Sequence, residues 1–356
     1  MLGNRKLVVD TFSEISDLIQ PSIDAEFWNF QEHNLIPGAI YVIGRRQMFL
    51  NSVGVRELVE NNIIQVVFSN PAEGSDTLRA HTKLYGIDDL VRSGQIPLIG
   101  GGDMDTTWPC LQYDSFLPKV LDYDENRLAM TEYWAKQTHT RPYKFLFLNG
   151  RARKHRTYLL QQLAPLLDQA IWTNLDSATG VAVRTLDPHY EYNAYQSNVI
   201  ASREGFVKHQ LFNDEWGEIY LASAPYLDTY FSLVTETVFD YPYSFRTEKI
   251  WKPMAMGHPF IVAANTGYYR DLHRLGFRTF GHVIDESFDS IDNNLDRQAR
   301  IVEVVKDLCQ QDLASFLDEC YNVCKYNQQH LADMRQQVRA EFSQRFEQFI
   351  NERFRI

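Results

Sequence analysis

Cysteine is scarce in this chain, positive charge is outweighed, and no apolar run is long. The four cysteines among 356 residues are Cys110, Cys309, Cys320 and Cys324. Only the last two are close, separated by three residues inside a helical pattern with no second pair nearby. That spacing argues against a zinc site and for reduced, buried thiols. Apolar stretches fall short of the roughly 20 residues that span a bilayer. Residues Met1 to Asp10 lack the apolar core of a signal peptide. The expectation is a cytoplasmic protein with no membrane span. Lys and Arg number 35 against 46 Asp and Glu, a net charge of -11. General electrostatic attachment to nucleic acid is therefore disfavoured, although a local basic groove at residues 151–156 is available to a polyanion. There is no internal repeat and no low-complexity tract.

What is present is the composition of a globular protein, 44% hydrophobic and 23% charged, in a chain long enough for two domains. Aromatic residues make up 13%, with 19 Tyr and 22 Phe, which fits large cores or a carbohydrate-facing surface. Residues 1–35 mix a short helix (Ser13 to Ile19) with loop signals. From Gly38 strands alternate with helices. Ala39–Ile43, Ile63–Phe68 and Ile96–Ile99 read as strands, Ser52–Asn61 and Leu78–Arg92 as helices. This alternation predicts an α/β fold with a parallel sheet covered on both faces. A Pro- and aromatic-containing stretch, Trp108–Tyr123, precedes a helix over 125–136. The break at Thr138–Pro142 marks a boundary between residues 1–140 and a second domain over 141–330. In that domain Tyr143–Leu148, Ala170–Thr173, Glu218–Leu221, Phe231–Glu236 and Pro259–Val262 are strand material, and 176–215 form a variable lobe or loops. Asp296–Tyr326 is helical. Residues 331–356 form a separate amphipathic helix, with Leu331, Met334, Val338, Phe342, Phe346 and Ile350 on one stripe. Such a stripe predicts packing against the core or at the domain interface.

Two clusters carry chemistry. In the first, Arg246-Thr247-Glu248-Lys249 precede a short apolar helical stretch that turns at Gly257. Thr247 is placed as a helix N-cap, with Glu248 and Lys249 in the first turn. Free N–H groups, partial positive charge and a lysine there suit an anion, and Glu248 is an acceptor for sugar hydroxyls. In the second, the apolar run Lys144–Leu148 leads through Asn149 and a glycine into Arg151, Arg153 and Arg156, then into a helix. These basic residues fall at the carboxyl end of a strand, where open α/β sheets bind ligands. Arginine offers phosphate a bidentate fork, and basic charge at a helix start opposes the helix dipole unless an anion is present. The competing readings are a capped surface helix for the first cluster and solvated or interface-paired arginines for the second.

With both clusters placed, residues 143–305 resemble nucleotide-sugar-dependent glycosyltransferases of the GT-B type, in particular the fucosyltransferase-like family with its Glu-Asn-Ser and Thr-Glu-Lys signatures. Thr247-Glu248-Lys249 matches the later motif letter for letter. Thr235-Glu236-Thr237 stands where Glu-Asn-Ser would, and departs from it in lacking Asn. The arginine-bearing turn has its counterpart in Asn149 to Arg156. The segment Gly267 to Asp289 looks like that of uncharacterised phage and bacterial relatives. The resemblance implies two facing Rossmann-like domains, a nucleotide-sugar donor in the C-terminal one and the acceptor in the N-terminal one. It implies inverting transfer without a metal or other cofactor. Lys249 and an arginine of 151–156 would neutralise the leaving diphosphate, Glu248 would bind ribose hydroxyls, and Thr235, Glu236 and Arg246 would line the sugar end.

Inversion needs a general base. Glu73, in the turn Asn70–Ser75 after a strand, is the first candidate. Asp103 and Asp105, after Gly100-Gly101-Gly102, are the second. Each also reads as a plain loop carboxylate. Asp103-Met104-Asp105 has a rival reading as an Asp-x-Asp metal site that holds a donor diphosphate. A non-catalytic sugar- or nucleotide-binding module is the alternative from another class. For the acceptor, a surface glycan or lipid-linked saccharide is the default, with a modified DNA base or a protein side chain as alternatives.

Overall fold

The computed structural model describes residues 6–11, 13–19, 25–28, 35–105, 107–149, 153–176, 181–185 and 221–354. The chain divides into two compact units. The first holds the chain up to Pro118, the short segment Tyr243–Phe245, and residues from Met334 onward; the second holds Lys119–Pro242 and Arg246–Asp333.

In the first unit six parallel strands form one sheet: β1 (Leu7–Asp10), β2 (Ala25–Trp28), β3 (Ile40–Gly44), β4 (Gln65–Asn70), β5 (Leu98–Gly100) and β6 (Cys110–Gln112), in the order β2-β1-β3-β4-β5-β6. Helices in this region are α1 (Ser16–Ile19), α2 (Arg45–Glu60), α3 (Ser75–Leu84), α4 (Asp88–Arg92) and α5 (Phe116–Asp122). Side chains alternate across a strand, and the two cores follow that period. Val8, Tyr41, Ile43, Val66, Phe68 and Leu98 face one core with Met48, Val55 and Leu78 from α2 and α3. Leu7, Val9, Ile40, Val42, Val67 and Ile99 face the other. A sheet buried on both faces needs continuous apolar strands, which is why β3 and β4 are legible as runs.

The second unit contains α6 (Asp124–Lys136), β7 (Tyr143–Asn149), α7 (Lys154–Gln162), β8 (Ala170–Asp176), β9 (Val181–Thr185), α8 (Ser223–Leu227), β10 (Thr229–Thr235), α9 (Glu248–Met256), β11 (Phe260–Ala263), α10 (Tyr268–Arg274) and α11 (Asn294–Leu308). Its sheet runs β11-β10-β7-β8-β9, parallel except for the antiparallel edge strand β9. A last helix, α12 (Leu313–Phe354), begins among second-unit residues and ends among first-unit ones.

Several expectations change. The boundary moves from 138–142 to Pro118/Lys119, because α6 is tied into the second unit. Asn126 Oδ1 accepts from Leu221 N at 2.7 Å, and Arg141 Nη1 donates to the carbonyls of Tyr226 (2.7 Å) and Thr229 (2.5 Å). The expected terminal helix over 331–356 is the end of the 42-residue α12. Of the two expected outcomes for its stripe, packing against a core or at the domain interface, the described residues show core packing, inside the first unit. Phe342, Phe346, Phe349 and Ile350 cover the Leu7/Val9 face of the sheet, each full burial contributing about 1.5–3 kcal/mol. The helical run expected over 296–326 breaks at 309–312, where Asp312 caps α12 by accepting from Ala314 N at 3.1 Å. Leu78–Arg92 is two helices, and β1, β2 and β6 were not anticipated. Of the expected strand Glu218–Leu221, residues 218–220 lie outside the described residues, as does most of the expected lobe over 176–215; its described part includes β9.

Candidate functional site

In the second sheet the chain leaves β7 toward β8 on one side and leaves β10 toward β11 on the other, so β7 and β10 are neighbours whose crossovers diverge. Ligands of open α/β sheets bind at the carboxyl ends of such a strand pair. Here those ends are Asn149 and Thr235, joined by a 2.6 Å hydrogen bond from Thr235 Oγ1 to Asn149 Oδ1.

The two helices that follow these strands start at the same edge. Helix α7 has Arg153 as its N-cap residue, with no side-chain cap and no acidic residue in its first turn. Arg153 is exposed and Arg156 is buried. Arg156 Nη2 donates to the carbonyls of Thr235 (3.0 Å) and Glu236 (3.3 Å), so α7 is pinned to the end of β10. Burial and Arg153 hold the Arg156 guanidinium down to about 10, which leaves it charged at neutral pH. His155 Nε2 lies 3.0 Å from the Glu236 carbonyl oxygen, an acceptor, so this nitrogen carries the proton. Burial first and Arg156 second push His155 down to about 3, making it a neutral ring, and Phe239 stacks on it at 4.9 Å.

Helix α9 starts as the sequence implies. Thr247 is its N-cap, and Thr247 Oγ1 accepts from Lys249 N at 3.3 Å. Glu236 fixes this cap. Its Oε1 accepts from Thr247 N (3.1 Å) and Tyr268 Oη (3.1 Å), and its Oε2 from Thr247 Oγ1 (2.8 Å) and Thr237 N (3.3 Å). Four donors to one fully buried carboxylate make Glu236 a tether between β10 and α9. Burial raises its carboxyl, and Lys249 opposes the rise. Lys249 Nζ donates to Glu248 Oε1 at 2.6 Å and to Thr247 Oγ1 at 3.1 Å. Burial alone would raise Glu248; the Lys249 ammonium overrides it and holds the carboxyl below its usual range. Arg246, which precedes the cap, is buried.

Of the donor-side candidates, Asn149, Arg156, Thr235, Glu236, Thr247, Glu248 and Lys249 thus form one connected cluster, with Arg153 at the start of α7. Arg151 lies outside the described residues. Sequence reasoning assigned no part to His155 or Tyr268. His155 stood within the basic run, but its contact with Glu236 spans 81 positions and leaves no local signal.

The first-unit candidates stand at the carboxyl edge of the other sheet. Glu73 follows β4 and is paired with Arg45, Nη1 to Oε1 at 3.2 Å. Burial raises its carboxyl, and Arg45 opposes the rise. Its main-chain carbonyl accepts from Gly101 N at 3.0 Å. Asp103 N donates to the Ser244 carbonyl at 2.7 Å, a close approach that Gly102 permits: φ there is +68°, and a Cβ would sit 2.4 Å from that oxygen. Asp105 Oδ1 accepts from Thr107 N (3.0 Å) and Thr107 Oγ1 (2.7 Å), which closes a turn and holds its carboxyl low. Among the described residues no group of three His, Cys, Asp or Glu side chains is arranged to hold a metal. Asp10, unassigned by the sequence reading, ends β1 beside this edge, and its Oδ2 accepts from Gly44 N at 3.0 Å. The apolar triplet Leu7-Val8-Val9 before it was the available signal.

No protein-family model matches this chain, and no curated protein matches it.

Proposed function

We propose that this chain is a GT-B-type glycosyltransferase that moves a sugar from a nucleotide-diphosphate sugar to a hydroxyl acceptor, with inversion and without a metal. The two sheets are its two Rossmann-like halves, and the second binds the donor. The observation that carries this reading is the buried network at the ends of β7 and β10. It fixes the starts of α7 and α9 and keeps Arg153, Arg156 and Lys249 at one carboxyl edge.

The chemistry follows from charge. As the acceptor oxygen bonds to the anomeric carbon, the bond from that carbon to the phosphate oxygen breaks, and its electron pair leaves on the diphosphate. An arginine fork, an ammonium and the N–H groups of a helix start without a side-chain cap are preorganised for that charge. The acceptor hydroxyl must also lose a proton. Glu73 has the chemistry for this, being a carboxylate whose affinity for protons is raised by burial. A surface glycan or lipid-linked saccharide supplies the hydroxyl.

The test is thermal stabilisation by GDP, UDP and ADP, with CMP as control, each with and without magnesium. Binding to the folded state alone adds about 2.7 kcal/mol at a ligand concentration 100 times Kd. One diphosphate is expected to raise Tm by several degrees without magnesium. The rise should shrink in Lys249→Ala and in Arg153→Ala. The second variant matters because Lys249→Ala leaves a buried Glu248 without its ion pair, whereas Arg153 is exposed. Absence of any nucleotide effect defeats the proposal in favour of another role for the fold. A shift that requires magnesium redirects it to Asp103 and Asp105. Hydrolysis of the matching nucleotide sugar separates an enzyme from a binding module.

A further inference from the structure

A cavity of about 250 Å³ lies in the second unit beside Gly257, the residue that ends α9. Gly257 and the Thr247 cap bracket the nine residues of α9, and a rise of about 1.5 Å per residue puts roughly 15 Å between them. The cavity is therefore separate from the cluster described above. Three aromatic rings, Tyr133, Trp134 and Tyr321, line it, together with Leu317 and Cys324. Trp134 and Tyr321 meet edge to face, centroids 5.8 Å apart. Gly257 has φ +72°, and a Cβ there would lie 2.2 Å from Trp134 Cζ2, so the indole is seated against backbone. Polar groups complete the lining: Gln137, Thr138, His139 and Asp318, with His139 Nδ1 3.2 Å from Asp318 Oδ1. The indole Nε1 of Trp134 is buried and meets no hydrogen-bond acceptor among the described residues.

We propose that this cavity binds a single ring of a neutral carbohydrate. Size is the first argument. The volume is below the roughly 300–1,000 Å³ of sites for drug-sized ligands, so it takes one ring and not a nucleotide. The lining is the second. The Tyr321 ring, 49% exposed, suits the C–H face of a pyranose, while an amide, a hydroxyl, an imidazole and a carboxylate offer donors and acceptors together. A sugar hydroxyl both donates and accepts, so it satisfies such a set. Charge is the third. Lys325 Nζ stands 3.3 Å over the Trp134 ring centroid, so a cationic ligand would meet an ammonium already on that ring. This inference does not rest on the donor-site reading.

The experiment follows the Trp134 indole proton–nitrogen resonance of the full chain, assigned through Trp134→Phe. The probes are methyl β-glucopyranoside, methyl β-galactopyranoside and methyl α-mannopyranoside, each taken to roughly 20 mM, enough to detect millimolar binding. Indole and tetramethylammonium are the controls. At least one glycoside is expected to shift the resonance saturably, and tetramethylammonium to leave it in place. Tyr321→Ala should weaken that glycoside about tenfold; Tyr321 is 49% exposed, so its truncation spares the fold. Asp318→Asn, also at an exposed side chain, should weaken it as well. A saturable shift with indole or tetramethylammonium but no glycoside, or no shift with any probe, overturns the proposal. Unchanged glycoside binding in both variants overturns it too.

Discussion

The two sheets share a parallel core topology, with β9 the antiparallel exception, yet end in different chemistry at their carboxyl edges. After the strands of the first come Asp10, Glu73, Asp103 and Asp105, with Arg45 paired to Glu73. After the strands of the second come Arg153, His155, Arg156 and Lys249, and there one carboxylate, Glu236, is consumed by four protein donors while the other, Glu248, is paired with Lys249. The topology dictates only that loops gather at that edge. Side chains decide what the edge is for: the basic edge suits an anion, and the acidic edge suits a proton.

The largest expected effect breaks that comparison at the acidic side. Glu73→Gln keeps the shape and removes the proposed base, so the proposed transfer should fall about 10²- to 10⁴-fold while nucleotide-induced stabilisation stays as in the parent. Transfer at parental rates would remove Glu73 from the mechanism and advance Asp103. The pH profile adds a second readout. A base works only when ionised, and burial raises the Glu73 carboxyl, partly countered by Arg45. The rate should therefore fall as pH falls through a value above the ordinary one for a glutamate. Arg45→Ala removes the countering charge, so the acid limb should move to higher pH.

Next in size is Arg156→Ala on the basic side. It removes a donor from the buried Thr235 carbonyl and leaves the Glu236 carbonyl with His155 alone, and urea unfolding should show a loss of about 1–3 kcal/mol. Nucleotide-induced stabilisation should fall with it. Arg156→Lys restores charge without the fork and should recover only part of each. If stability falls and nucleotide binding does not, Arg156 is a strut between α7 and β10, and the anion belongs to Arg153 and Lys249.

How much of this was legible in the sequence depended on how local the cause was. β3, β10 and β11 are runs of buried residues, and β4 and β7 are mostly so; all five stood out as apolar runs. β1, β2 and β6 have four, four and three residues, and pairing with neighbours makes them strands. The Thr247 cap was readable because capping acts over two or three positions. The role of Glu236 was not, because its donors come from 1, 11 and 32 positions along the chain. The terminal stripe was read as amphipathic from its period, but the face it covers is set by tertiary packing. Arg141 illustrates the same limit. It sits in a stretch whose loop signals mark a boundary, yet it fastens that stretch to the start of β10.

The smallest expected effect concerns Asp105, and it sharpens the acidic side by subtraction. Its Oδ1 takes both donors of Thr107, and its own carbonyl accepts from Trp108 N at 3.0 Å. These bonds close a tight turn, a common use of a loop aspartate. Asn keeps an acceptor oxygen at that position, so Asp105→Asn should cost less than about 1 kcal/mol in urea unfolding. It should also leave transfer unchanged with and without magnesium. Asp105→Ala, which loses both bonds, should cost about 1–2 kcal/mol and still transfer. A variant that folds with parental stability but transfers only with added magnesium, or not at all, would assign Asp105 to the donor diphosphate and make the acidic edge the anion site after all.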